Sequence, residues 1–183
     1  MKLEILENDF YYHIYNKGIN GTNIFSNDEN KRYFLKQLHF HLNNQISIFA
    51  YCLMDNHFHL IVKINSEPDV VTQSFSNFFN SYPKAYNKQI SRTGSLFEKH
   101  FKRIRLKDEL YLKNLILYVH LNPKLHLDLD YKEFLFSSYQ SILSEKETKL
   151  ERKEVIDLFG GKENFIFCHN SKGDLLVEKY TFE

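Results

Sequence analysis

Tryptophan is absent from the 183 residues, and cysteine, methionine, proline and glycine are scarce, at two, two, three and six. Cys52 and Cys168 stand far apart, so they offer neither a disulfide framework nor the close spacing of a thiolate metal site. Both read as small buried hydrophobes. No internal repeat and no low-complexity stretch is present. No apolar run approaches the roughly 18 residues of a membrane span, and the polar, acidic N-terminus is unlike a secretory leader. The expected location is therefore cytoplasmic, with no membrane partner. A G-x-x-x-x-G-K phosphate loop is also missing, so ATP-driven chemistry is not expected. Finally, the chain lacks an excess of either charge, with a formal net charge of +1. Bulk electrostatics thus announce no nucleic-acid partner.

What is present is a large apolar inventory. At 43% hydrophobic and 16% aromatic, with 17 Phe, the chain can bury a sizeable core. Its length suggests one domain with a small extension. Charge is uneven along it: between Lys84 and Lys113 nine basic residues face three acidic ones. Such a band can serve as a footprint for phosphates, although a solvated face has the same composition.

Residues Asp9 to Asn16 are aromatic and β-branched, which predicts a strand. A helix follows, capped by Ser26 or Asn27, with Tyr33, Phe34, Leu38 and Leu42 at helical spacing. Gln45 to Leu53 and His57 to Ile64 form a hairpin around Met-Asp-Asn. A second helix is expected over Asp69 to Tyr86, kinked or interrupted at Pro83, and a basic strand over Leu96 to Leu106. A third helix is expected over Lys107 to Leu121, ended by Asn122-Pro123. Residues 124 to 140 read as loop, and two short helices near 151 to 159 and 161 to 168 finish the chain. The β-α-β-β-α-β-α order predicts an α+β, ferredoxin-like split βαβ arrangement: an antiparallel sheet with helices packed on one face. The expected division is a domain over 1–140 and a helical extension over 141–183 packed on it.

Two patterns carry chemistry. In His57-Phe58-His59 the side chains alternate, so both imidazoles share one face of a strand while Phe58 anchors in the core. Two imidazoles on a stiff strand can share a metal ion, although two histidines on a solvent face would look identical. His39 and His41 have the same spacing, but on a helix they diverge by about 200°. In the third helix Asn114, Tyr118 and Asn122 form one polar line on an apolar helix. A phenol and an amide oxygen one turn apart could face a site together, but Asn before Pro is also an ordinary helix ending.

The segment AYCLMDNHFHLIVK resembles the hallmark motif of the single-tyrosine HUH transposases, in which U is a hydrophobic residue. LYVHLNP resembles the tyrosine helix of that family. YYHIYNKGINGTNIFSNDENKRYFLKQL resembles its first strand, loop and helix, and GSLFEKHFKRIRL and FSSYQSIL also fit. The matches run in order from about residue 10 to residue 140. The ending with DLFGGKENF is similar to relatives with C-terminal extensions, including the REP-associated tyrosine transposases. Two positions depart from the pattern. Lys17 stands where many relatives carry Arg, replacing a forked phosphate contact by a point charge, and Phe97-Glu98 stands where many carry Trp-Gln.

The resemblance implies a ferredoxin-like fold, His57, His59 and Asn122 as ligands of Mg²⁺ or Mn²⁺, and Tyr118 as the nucleophile. The implied reaction cuts and rejoins single-stranded or hairpin DNA by transesterification through a 5′-phosphotyrosine. A tyrosine ordinarily has a pKa of about 10, so about one in a thousand is phenolate at neutral pH, a cost of about 4 kcal/mol unless the site lowers it. Asn16, Lys17, Lys99, Lys102, Arg103 and Arg105 are the candidates for DNA-backbone contacts. Tyr11, Tyr12 and Tyr15 are candidates for stacking on bases or for core packing. Some relatives work as homodimers with trans active sites, in which the tyrosine helix serves a partner's histidines. The competing readings are a non-catalytic DNA-hairpin-binding regulator on the same fold and a phosphodiesterase that activates water.

Overall fold

A computed structural model describes residues 3–172. The elements are β1 (Tyr11–Lys17), a 3-10 turn (Ile19–Gly21), α1 (Asp28–Leu42), β2 (Ile46–Leu53), β3 (His57–Ile64), α2 (Pro68–Gln89), β4 (Lys102–Arg105), α3 (Glu109–Leu127), α4 (Tyr139–Leu143), α5 (Arg152–Leu158) and α6 (Lys162–Lys172). The four strands form one antiparallel sheet in the order β2-β3-β1-β4. This is the α+β, ferredoxin-like split βαβ arrangement.

Strand alternation divides the interior into two cores. Tyr12 and Ile14 of β1 and Phe58, Leu60 and Val62 of β3 face Phe34 and Leu38 of α1 and Phe75, Phe78 and Tyr82 of α2. Ala50, Cys52 and Ile61 face the opposite way, onto Leu115 and Val119 of α3 and onto Val155 and Phe165 of α5 and α6. Helices therefore cover both faces, not the one face expected. The cause is β3: its LIV run buries residues of both parities, and a strand buried on both sides needs cover on both. A bulge between Ile48 and Ala50 of β2 turns Phe49 and Ala50 toward the same core.

Both internal prolines sit inside continuous helices. α2 runs through Pro83, where a kink or interruption was expected, and α3 runs through Pro123, where an end was expected. Packing outweighs the lost hydrogen bond, because residues 115–123 of α3 are buried without interruption. α3 ends at Asp128, which adopts a left-handed conformation (φ 53°). β4 is shorter than expected, with Phe97 joined to Gly18 only by an isolated bridge. α4 occupies part of the segment read as loop. Cys52 is buried as expected, whereas Cys168 is only half-buried. Among the described residues no helix is long and apolar enough to cross a membrane. Residues 173–183 of the expected extension lie outside the described ones.

The hairpin turn before β3 is pinned from three sides. Lys31 of α1 reaches Asp55 at 2.7 Å, the amides of Ile24 and Phe25 donate to the Asp55 carbonyl, and Gly18 donates to the Asn56 carbonyl. Gly18 is required by close approach, since a Cβ there would stand 1.9 Å from the Thr22 carbonyl oxygen. The loop after β1 and the start of β3 are thereby locked to each other.

Candidate active site

His57 and His59 lie on the face of β3 that α3 covers, with Phe58 anchored on the other face among Phe34, Phe79 and Phe97. Both imidazoles are nearly inaccessible, at 7% and 2% exposure. α3 crosses above them. Its Asn122 places Oδ1 3.1 Å from His57 Nε2, and its Tyr118 ring stands edge-on to His59 with centroids 5.6 Å apart. The two motifs therefore meet within one chain. Because α3 continues past Asn122, that side chain sits in a helix interior and is fixed relative to Tyr118.

The polar atoms fit a cation. Asn122 Nδ2 donates to the Tyr118 carbonyl at 3.2 Å, so its oxygen is the atom turned to His57. His57 Nδ1 faces Asn56 Oδ1 at 2.7 Å. His57 Nε2 and Asn122 Oδ1 stand side by side at the same point, an imidazole nitrogen and an amide oxygen within reach of one ion. His59 Nε2 is also buried and has no hydrogen-bond partner among the described residues. Two imidazole nitrogens and an amide oxygen are ordinary donors for a divalent ion. Burial, reinforced by His13, His57 and His126, pushes the His59 pKa well below its usual value and keeps the ring neutral.

A cavity of about 340 Å³ opens beside the pair, lined by Tyr15, Asn16, Lys17, His57, His59, Glu98 and Lys102. Tyr118 is buried, at 3% exposure. A second groove of about 520 Å³ shares Asn16 and Glu98 with the first and carries Lys84, Lys99 and Arg103 together with Phe79 and Phe101.

No family model and no curated protein sequence matches the chain. Among solved structures it is similar to a REP-associated tyrosine transposase bound to a REP hairpin, with a TM-score of 0.61 at 12% identity over 79% of this chain and 85% of that one. The two proteins share a fold.

The six expected DNA contacts fall into different settings. Lys17 and Lys102 line the cavity, and Lys99 and Arg103 line the groove. The Arg103 guanidinium lies 4.2 Å from the Phe101 ring, and burial lowers its pKa. Asn16 is an internal brace, its Oδ1 accepting from the Lys17 amide and its Nδ2 donating to the Glu98 carbonyl. Arg105 is committed elsewhere, paired with Glu7 at 2.7 Å and stacked 3.4 Å over Phe10. Tyr12 is core, its hydroxyl donating to the Ile5 carbonyl, and Tyr11 packs edge-on to Phe49. Tyr15 stacks on His13 and His59 at the cavity wall.

Two residues at the site escaped the sequence reading. His13 Nε2 stands 2.9 Å from His59 Nδ1, and burial lowers the His13 pKa to about 3. In the sheet register Tyr15 is opposite His59 and His13 is opposite Ile61, so His13 is the diagonal neighbour of His59. Only strand pairing reveals that. His126, one turn beyond Asn122, places its ring 5.6 Å from that of His57. Its i+4 spacing from Asn122 was the available signal.

Proposed function

We propose that the chain is a metal-dependent, single-tyrosine DNA strand transferase that cuts and rejoins single-stranded or hairpin DNA. The observation that carries this reading is the meeting of Tyr118 and Asn122 with His59 and His57. A phenol and three metal-type donor atoms converge from segments about sixty residues apart. The hairpin-bound transposase of the same fold supports hairpin DNA as the partner.

His57, His59 and Asn122 would hold Mg²⁺ or Mn²⁺, and the two imidazoles make Mn²⁺ the better match. When bound, the ion supplies positive charge to a non-bridging phosphate oxygen as negative charge develops there. Lys17 and Lys102 draw the phosphodiester into the cavity. Tyr118 Oη loses its proton and bonds to phosphorus, and the 3′ oxygen leaves and is protonated. The products are a 5′-phosphotyrosine and a 3′-hydroxyl. Attack by another 3′-hydroxyl reverses the step, returns the proton to Tyr118 and joins new ends. Bond energy is conserved in the covalent link, so no nucleotide cofactor is needed.

The test is adduct formation on a labelled single strand flanking a hairpin, with Mn²⁺ and then Mg²⁺. Wild type should form a covalent adduct that EDTA abolishes, and Tyr118→Phe should form none. An adduct that persists in Tyr118→Phe would refute the assignment.

Two features favour a second reading, a hairpin-binding protein without strand transfer: Tyr118 is almost wholly buried, and the cavity contains a carboxylate, Glu98. EDTA-resistant binding with no adduct under either metal would select it.

A further inference from the structure

A buried polar run lies behind the site, on the other side of α3. His120 falls between Tyr118 and Asn122 in sequence and points about 200° away from each. It is wholly buried. Its Nδ1 stands 2.9 Å from His169 Nε2 in α6, and its Nε2 stands 2.7 Å from Ser138 Oγ. His169 Nδ1 stands 2.7 Å from the Phe165 carbonyl oxygen. Ser138 Oγ in turn accepts the Tyr51 amide of β2 at 2.9 Å.

The Phe165 carbonyl at one end orders the run. The Phe165 carbonyl can only accept, so His169 Nδ1 carries the proton. Burial lowers the His169 pKa to about 4, so the ring is neutral and Nε2 is a bare acceptor. His120 Nδ1–H therefore donates to it. With its Nδ1–H committed to His169, His120 turns Nε2 to the Ser138 hydroxyl at 2.7 Å and accepts from it. A run of hydrogen bonds thus connects α6, α3, the Ser138 segment and β2, and at its far end the Ser138 hydroxyl also lies 3.3 Å from the Tyr51 carbonyl oxygen, a longer contact than the 2.7 Å to His120.

This run has a mechanical consequence for α3. The helix otherwise rests on β2 through apolar side chains such as Leu115 and Val119. Apolar contact is non-directional and tolerates small rotations, whereas hydrogen bonds lose strength steeply with misalignment. Rotation of α3 would carry Tyr118 and Asn122 sideways over the histidine pair, and a displacement of about 1 Å can cost a hundredfold in rate.

We propose that His169, in the C-terminal extension, is a positioning residue for Tyr118 and Asn122, acting through His120 to fix the rotation of α3. The proposal rests on the strand-transferase reading, but its first test does not.

In the metal-free protein, imidazole ¹⁵N spectra should show both His120 and His169 as Nδ1–H tautomers. In His169→Leu the Asn122 side-chain amide and Tyr118 ring resonances should shift. His169→Gln, whose side-chain oxygen can accept from His120, should restore them. Val155→Ala, a core truncation in α5 outside the run, should leave them in place. In single-turnover adduct assays His169→Leu should be slowed at least tenfold with hairpin affinity unchanged, and His169→Gln should stay within threefold of wild type. If His169→Leu does not fold, Ser138→Ala interrupts the run at its other end and should shift the same resonances. Unshifted Tyr118 and Asn122 resonances would overturn the proposal, as would equal slowing by Val155→Ala at matched melting temperature. A wild type that forms no adduct defeats the functional reading alone, and the spectra still decide the positioning.

Discussion

Asn122 Oδ1 and His57 Nε2 face each other at 3.1 Å with the amide nitrogen turned away to the Tyr118 carbonyl. An amide oxygen and an imidazole nitrogen side by side are both ordinary ligands for a divalent ion. Asn122→Leu should therefore lower Mn²⁺ affinity at least tenfold, and Asn122→Asp should raise it at least tenfold by adding a formal charge. Calorimetric titration of DNA-free protein measures both. Identical affinities across the three proteins would remove Asn122 from the metal site.

Lys102 and Arg105 are separated by two residues on β4 and should behave oppositely. Lys102 lines the cavity, whereas Arg105 is held by Glu7 and Phe10. Lys102→Ala should weaken single-strand binding and reduce the slope of log K against log salt by about 0.7, the value for one lost phosphate contact. Arg105→Ala should leave that slope unchanged and cost about 0.5–1 kcal/mol of stability through the lost stacking. A reduced slope for Arg105→Ala would mean that its pairing with Glu7 yields to DNA.

Glu98 brings a carboxylate to the wall where a phosphate is expected. Glu98→Gln removes one like-charge repulsion, so single-strand affinity should rise about threefold at low ionic strength. The gain should fade near 1 M salt, where the screening length falls to about 3 Å. Anisotropy titrations at several salt concentrations read this directly. A loss of affinity would instead assign the carboxylate a favourable contact.

The buried His120–His169 pair makes stability pH-dependent. Burial lowers the folded-state pKa of His169 to about 4 and that of His120 well below its usual value, while in the unfolded chain both titrate near 6.5. The unfolded state therefore binds more protons below pH 6.5. The stabilisation is complete above that value and is lost as pH falls toward 4, by up to about 1.4 kcal/mol per pH unit per imidazole. Denaturant titrations between pH 7.5 and 4.5 should show this decline. His169→Gln should decline less steeply, by one proton's worth, and an unchanged slope would contradict the assignment.

Much of this was legible in the sequence because it rests on local periodicity. The alternation in HFHLIVKI oriented the two imidazoles, and helical spacing placed Tyr118 and Asn122 on one line. What escaped was set by packing. The prolines at 83 and 123 look like kinks or helix ends, yet α2 packs Tyr82 and Tyr86 on either side of Pro83 and α3 is buried throughout residues 115–123, so both helices continue. β3 reads as a one-sided strand with a polar start, but α3, α5 and α6 cover its second face. Strand alternation sends Lys102 and Arg105 to opposite faces of β4, but only the tertiary structure shows that one face carries the cavity and the other Glu7 and Phe10.

The sequence alone determined the order of the strands and helices and the face from which each reactive side chain projects, because both follow from short-range backbone geometry. Tertiary structure decided which of those faces meet. It turned Asn122 Oδ1 toward His57, put His13 behind His59, brought Glu98 to the cavity wall and tied α3 to α6 through His120 and His169. These are contacts between residues distant along the chain, and they are set by strand register and helix packing, which local sequence does not specify.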